Sequence, residues 1–386
     1  PRTADIIAMR DSVIATLDRD GYSDLVRQYP IELNKVFSLA IYRHLRHQRV
    51  INERRRSQNF LLLSVGKEQI NNSFLQRFIS NLSHYGKTKL ISSLDINFAD
   101  IDKSRELNLD LLESQNDYLV FVGDHEDAQG CKHILNYADQ LVFVADGEQK
   151  TDVTSIEKVL SNEVGFDLIR KHLVLHYCQK QTQCANRIDW QQQRDIERVY
   201  PVQSESNDDF GRVIRFLTGN AVGLVLGGGG ARGFAHLGVL KAFKEHNIPI
   251  DIVGGNSMGA LIGACYAIGI PLEEIHERIL GHTKSGMKLT LPLISLMSNK
   301  SLEKAFRAEL GEIDIENLWL PYFAAACNLS SAETTVLDHG PLWRAVLASN
   351  SPAGLFPPVI DNGELLVDGA ILENVPVQAM RVRLST

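Results

Sequence analysis

Between Phe60 and about Gln203 the chain alternates short apolar runs with polar or amphipathic stretches of mostly helical length. The runs are FLLLSV, KLISS, DYLVFVG, QLVFVAD, HLVLHYC and RVYPVQ. Their brevity and their Val, Leu and Phe content predict buried strands, and the alternation with helices predicts a parallel sheet covered on its faces. Upstream the period differs. After Pro30, the residues Ile31, Val36, Phe37, Ala40, Ile41 and Leu45 recur three to four apart, the spacing of one buried helical face. Residues 1–57 are therefore expected to be helical, a piece too small to fold alone.

The pattern changes again at SNDDFGRVIRFLTGN. Ser206 followed by Asp209 has the form of a capping box, Phe210, Val213, Ile214 and Leu217 make one apolar face, and Gly219 is placed to end the helix. From Ala221 onward the expected order is a strand over 222–226, a glycine-rich turn, a helix to about His246, a strand over 250–253, a tight turn and a helix from Met258. This is α/β patterning a second time. Three segments result: 1–57 helical, 58–205 α/β, and 206–386 a second α/β domain. No repeat of 20 to 50 residues and no low-complexity stretch intervenes.

Composition narrows the partners. With 386 residues, 44% of them apolar, there is ample material for globular cores, and a formal charge of -7 argues against a nucleic-acid binder, which carries a basic excess or stripe. One basic run stands out, Arg43, Arg46, Arg49, Arg54, Arg55 and Arg56; it is read as a solvated helix end, with contact to a peripheral membrane surface as the other reading. The cysteines, Cys131, Cys178, Cys184, Cys265 and Cys327, are odd in number, widely spaced and without CxxC, which suggests neither disulfides nor zinc and fits a reducing, cytoplasmic compartment. No apolar stretch approaches the roughly 20 residues of a spanning helix. No signal peptide is visible, although a chain opening on Pro1 has room for a processed segment before it.

Two glycine motifs carry the chemistry. In GLVLGGGGARGFAHLGVL, Gly228, Gly230 and Gly233 satisfy the dinucleotide pattern G-x-G-x-x-G, and Asp251 offers an acid about 20 residues on. The acid is misplaced, because it precedes the second strand instead of closing it. Just beyond lies Gly255-Asn256-Ser257-Met258-Gly259, a G-x-S-x-G between an apolar strand and an apolar helix, the context of a nucleophile elbow. Gly255 and Gly259 leave space for close backbone approach, and the following helix directs its positive end toward the serine. An acyl-transfer serine needs preorganised donors for its oxyanion, which the backbone N–H groups of Gly228, Gly229 and Gly230 can supply. Arg232 either adds positive potential or braces the loop. His236 is expected to pack or cap. Asp368, in DNGELLVDGA, is by itself compatible with an Asp-Gly hairpin turn.

Taken together, GGGGARG, GNSMG and VDGA resemble the patatin-like phospholipase family, and LTGNAVGLVLGGGGARGFAHLGVLKA, GIPLEE, IENLWLPYFAA and PLWRAVLAS resemble its neuropathy target esterase branch. The resemblance is strong over about 207–380. It is weaker upstream, where AMRDSVIATL and YPIELNKVFSLAIYRHL are similar to the closing helices of a cyclic-nucleotide-binding domain. It implies a patatin-like three-layer α/β/α catalytic domain, preceded by a Rossmann-like α/β domain and the N-terminal helical segment. It assigns Ser257 as nucleophile and Asp368 as its partner, accepting the serine proton or orienting the hydroxyl, and it implies a phospholipid or lysophospholipid substrate with no cofactor and no metal. Ala370 departs from the family's Asp-Gly-Gly turn, and only 18 residues follow Asp368, fewer than a patatin domain normally has. The alternative is a noncatalytic regulatory or scaffold protein that retains the fold. Between the two candidate residues, the segment 286–301, with Met287, Leu289, Leu291, Leu293, Ile294, Leu296 and Met297, is expected to form core or an acyl-chain wall. The 58–205 segment carries no P-loop lysine. Its VFVADGEQKTD stretch is read as a solvated strand-end loop, with an acidic ligand site as the other reading.

Overall fold

The computed structural model describes residues 57–385 except 66–68, 93–105, 125, 150–151, 164–165, 168, 179–182, 185–186 and 284–294. The expected N-terminal helices and residues 286–294 of the acyl-wall segment lie outside the described residues. The chain parts into two compact units. One comprises the described residues up to Leu62 with Gly86–Leu141 and Val159–Ile169; the other comprises Leu63–Tyr85, Val142–Lys158 and the chain from Arg170 onward.

Every apolar run noted in 58–205 is a strand. The order is β1 (Gln58–Ser64), α1 (Asn72–Ser83), β2 (Thr88–Ser92), α2 (Glu106–Gln115), β3 (Tyr118–Gly123), α3 (Ala128–Leu135), β4 (Gln140–Asp146), α4 (Ser155–Leu160), β5 (Arg170–Tyr177), α5 (Arg187–Gln192) and β6 (Arg198–Gln203). The strands form one Rossmann-like sheet in the order β2-β3-β1-β4-β5-β6. The runs lack the two-residue alternation of a half-exposed strand because both faces are covered: Phe60, Leu61, Leu62 and Leu63 are all fully buried.

His172 in β5 shows what such burial does to a titratable group. It is 2% exposed, its Nε2 has no hydrogen-bond partner among the described residues, and burial, with Arg170 and Arg198 adding to it, pushes its pKa down to about 3. The folded chain thus refuses a proton that the unfolded chain accepts near pH 6.5. Stability is full above that value and falls as the pH drops from about 6.5 toward 3, by up to about 1.4 kcal/mol per pH unit for one such group. We predict that His172→Gln flattens the dependence of melting temperature on pH between 6.5 and 4. It will not abolish it, since burial also lowers the pKa of His176. An unchanged slope would refute the assignment.

The second sheet begins after helix α6 (Asn207–Leu217), whose ends follow the sequence. Ser206 Oγ accepts the Asp209 N–H at 3.2 Å. Gly219, at φ 71°, allows the Gly219 and Asn220 N–H groups to reach the Phe216 and Arg215 carbonyls, a Schellman close. The capping box is incomplete, because the Asp209 carboxylate accepts from Gln203 N instead of turning back to Ser206. Then come β7 (Gly223–Leu226), α7 (Ala235–Glu245), β8 (Ile252–Asn256), α8 (Met258–Ala267), α9 (Leu272–Thr283), α10 (Lys300–Leu310), β9 (Tyr322–Asn328), β10 (Glu333–Leu337), α11 (Leu342–Ser349), β11 (Val359–Asp361), β12 (Glu364–Asp368) and α12 (Val377–Ser385). The path is β11-β12-β9-β8-β7, with β10 also on β9. Helix α8, apolar on every side, lies in the core with Val253, Tyr322 and Val346.

The register on β9 positions the site. β10 pairs antiparallel with Ala324–Asn328, which occupies one edge of β9. β8 runs parallel along residues 322–325, ending with Asn256 opposite Ala325, and β12 runs antiparallel along 326–328, ending with Asp368 opposite Ala326. Since β10 fills one edge across both stretches, β8 and β12 share the other. They meet there head to head.

Candidate active site

Ser257 is the single residue between β8 and α8 and adopts φ 53°, ψ -124°, a region that costs a non-glycine residue on the order of 1–3 kcal/mol. The flanking glycines explain how the turn closes. A Cβ on Gly255 would lie 2.6 Å from the Leu226 carbonyl oxygen, and one on Gly259 only 2.1 Å from the same atom, so neither position admits a side chain. The end of α11 pins the turn from the other side: Ser257 N donates to Ser349 Oγ at 2.9 Å, and Asn350 Nδ2 donates to Ser257 O at 2.9 Å.

Asp368 is 6% exposed at the end of β12. Its Oδ1 accepts the Ala370 N–H at 2.9 Å and lies 3.4 Å from Asn256 Nδ2, while Asn256 Oδ1 accepts the Gly369 N–H at 3.0 Å. The Asp-Gly pair is therefore not a hairpin turn. The hairpin is the preceding one, β11 to β12 through Asn362 and Gly363, both at positive φ. Ala370 has no positive φ, so its departure from glycine introduces no backbone strain.

The glycine loop leaves β7 and passes beside the serine. A Cβ on Gly228 would sit 3.0 Å from Ser257 Cβ, so the loop approaches to van der Waals range only because Gly228 has no side chain. Gly230, at φ 55°, turns the loop into a 3-10 segment that leads to α7. His236 Nε2 donates to the Gly227 carbonyl at 2.8 Å and so holds the loop from beneath, a packing role. The dinucleotide reading fails on Asp251: it is fully buried, and Arg215 binds it with Nε at 2.8 Å and Nη2 at 2.6 Å.

Residues 224–381 match the family model for patatin-like phospholipase. Over that stretch the chain is similar to patatin-like phospholipases. The chain is 28% identical to patatin-like phospholipase domain-containing protein 6 of Mus musculus over 99% of its length and 32% of the relative's. To neuropathy target esterase sws of Drosophila melanogaster it is 27% identical, over 98% of this chain and 30% of that protein. It thus spans about a third of the length of the curated relatives it matches. Among solved structures, VipD from Legionella pneumophila superposes with a TM-score of 0.28 at 17% identity, over 40% of this chain and 47% of that one, too loosely to bear on function.

Within the patatin-like domain one expected donor is redirected. The Gly228 N–H, expected to face an oxyanion, donates instead to Asn374 Oδ1 at 3.1 Å, and Asn374 Nδ2 donates back to the Gly228 carbonyl at 3.2 Å. The cause is the Asn374 side chain lying alongside the loop, 3.5 Å from Asn256 Nδ2 as well. Gly229 and Gly230 keep their place at the loop. Arg232 is exposed, so its guanidinium faces solvent. Asn256, Ser349, Asn350 and Asn374 are the site residues that sequence reasoning missed. The only signal was their presence beside recognised motifs, inside GNSMG, at the end of PLWRAVLAS and in the stretch after VDGA. Of the acyl-wall segment, Leu296 and Met297 donate their N–H groups to the Gly354 and Leu355 carbonyls, beside the loop that carries Ser351, whose carbonyl accepts Asp368 N.

Asn374 holds both polar groups of one glycine, so removing its amide should loosen the loop without touching Ser257. We predict that Asn374→Ala lowers ester turnover about ten- to a hundredfold while Ser257 still reacts, more slowly, with a fluorophosphonate. Wild-type kinetics in a folded variant would show that the clamp is unimportant.

Proposed function

We propose that the patatin-like domain, which we place within residues 206–386, is a serine lipid acyl hydrolase that cleaves fatty-acyl esters of phospholipids or lysophospholipids through Ser257 and Asp368. One observation carries the reading: Ser257, in a conformation unfavourable for serine, directly follows β8, Asp368 ends β12, and the ends of these two strands converge on adjacent residues of β9. The phospholipase and esterase names of the relatives support the substrate class.

In this mechanism Ser257 Oγ attacks the ester carbonyl carbon as its proton passes to Asp368. Oδ1 of Asp368 is held by Ala370 and Asn256, which leaves Oδ2 for the serine. The carbonyl oxygen becomes an oxyanion, stabilised by the N–H groups of Gly229 and Gly230 and by the positive end of α8. The intermediate collapses with cleavage of the ester C–O bond, the leaving alkoxide takes the proton from Asp368, and an acyl-Ser257 remains. Water, giving a proton to Asp368, then attacks the acyl carbon; the fatty acid departs and the proton returns to Ser257. A phospholipid substrate would be met at a peripheral lipid surface; among the described residues no helix is long and apolar enough to cross a membrane.

The test is fluorophosphonate labelling of the purified chain, followed by fatty-acid release from lysophosphatidylcholine and phosphatidylcholine. Labelling with release supports the hydrolase, and the faster substrate names the class. A folded chain that neither labels nor releases fatty acid would be the noncatalytic scaffold instead.

A further inference from the structure

The sheet of 58–205 has a feature that the proposed hydrolase does not use. The chain runs from β1 to β2 and β3 on one side of β1 and then crosses to β4 on the other, so β1 and β4 flank the point where the strand order reverses. Open α/β sheets bind small molecules outside the carboxyl ends of their strands at this point. A cavity of about 190 Å³ lies there. It is lined by Ser64 at the end of β1, Asp146 at the end of β4 and His176 near the end of β5, so three neighbouring strands deliver their carboxyl ends into one space. All its lining residues belong to the second compact unit.

The lining chemistry selects the ligand. Ser204 Oγ donates to the Tyr177 carbonyl at 3.0 Å and therefore accepts from His176 Nε2 at 2.9 Å, which fixes the proton on Nε2 and leaves Nδ1 as a bare acceptor. Burial lowers the pKa of this imidazole and keeps it neutral. Asp146 accepts the Glu148 N–H at 3.0 Å through Oδ1 and Gln149 Nε2 at 2.9 Å through Oδ2. A carboxylate has about four acceptor sites, so two remain. Ile70 also lines the space, with Phe74 buried behind it, its ring edge-on to His176 at 5.5 Å. The cavity thus offers a paired acceptor, a second acceptor and an apolar side, with no lysine or arginine among the described residues that line it. That combination suits a donor-rich, uncharged ring and disfavours a bare phosphate.

We propose that the carboxyl edge of the first sheet binds the vicinal diol of an uncharged sugar ring, with Asp146 accepting from the two hydroxyls and Ile70 covering an apolar face. The source is either the ribosyl group of a nucleoside or a free pentose.

Calorimetric titration of the whole chain tests this with adenosine, 2′-deoxyadenosine, D-ribose and AMP. Saturable binding of adenosine or ribose is expected, with adenosine at least about tenfold tighter than 2′-deoxyadenosine, because a lost hydrogen bond to a carboxylate is worth that much. Ribose equal to adenosine assigns the site to a free sugar; adenosine tighter assigns it to a nucleoside. Asp146→Asn should bring adenosine down to the deoxy affinity, and Ser257→Ala should change nothing, which separates this site from the hydrolase. Should Asp146→Asn not fold, the comparison with the deoxynucleoside decides alone. Equal affinity for the two nucleosides, binding of AMP only, or no saturable heat with any of the four overturns the proposal.

Discussion

Ser257→Ala will abolish fluorophosphonate labelling and reduce fatty-acid release by roughly three to six orders of magnitude, the range seen when an acyl-enzyme nucleophile is removed. Alanine keeps the backbone at φ 53° without adding a new contact, so the folded state should survive and the loss should be one of chemistry. Asp368→Asn is the companion variant. Asparagine retains an oxygen for the Ala370 N–H and the approximate shape of the β12 end but cannot take the serine proton, and a fall of about a hundred- to ten-thousandfold is expected. Rates should be read at saturating substrate beside near-ultraviolet circular dichroism. An active Ser257→Ala would remove the elbow from the mechanism. An unimpaired Asp368→Asn would leave the elbow and remove the dyad.

The second large effect is on stability. Arg215→Ala strands the Asp251 carboxylate, which is 0% exposed and, among the described residues, otherwise accepts only the Val222 N–H at 2.8 Å. Breaking one side of a buried pair costs about 3–5 kcal/mol, far more than the pair is worth against an apolar replacement. The loss should appear as a shift of the urea midpoint at constant slope. Arg215→Met with Asp251→Asn should recover much of it, since no unpaired charge then remains. The position of the pair adds a functional consequence. Asp251 immediately precedes β8, and Val222 precedes β7, whose first residues Gly223 and Ile252 are paired. The ion pair therefore anchors the starts of the two strands that end at the glycine loop and at Ser257. A shift below 1 kcal/mol for Arg215→Ala would contradict this account.

The strands of the first sheet, and β7 and β8 of the second, were legible because buried parallel strands leave continuous apolar runs, and α8 was legible because it is apolar throughout; β9, β10 and β11 were not read from the sequence. Ser257 was legible for a steric reason: the glycines two residues to either side face the Leu226 carbonyl at distances no side chain could tolerate. Asp368 owes its assignment to resemblance, and the Asp-Gly hairpin with which its local sequence is compatible does not form, because Asn362-Gly363, six residues earlier, makes the turn. The direction of the Gly228 N–H could not be read at all. It depends on loop dihedrals and on Asn374, 146 residues away in sequence. Ser349 and Asn350 were hidden for the same reason: a polar residue at the end of an apolar helix looks like an ordinary stop, and only packing shows that it grips the elbow. The diol cavity is the extreme case, assembled from three strand ends with no local motif.

The convergence of β8 and β12 on one edge of β9 also bears on how such a domain can change over time. Asn256 and Asp368 are 112 positions apart in the chain, yet they stand opposite neighbouring residues of a single strand. Their spacing is therefore ruled by one peptide step of β9, about 3.3 Å, and not by the length of what lies between. The intervening sequence can lengthen, shorten or be exchanged without disturbing that interval, so long as β9 and the end of α11 that holds the Ser257 turn are kept. Substrate choice and bond cleavage can then diverge independently, one drifting while the other stays fixed.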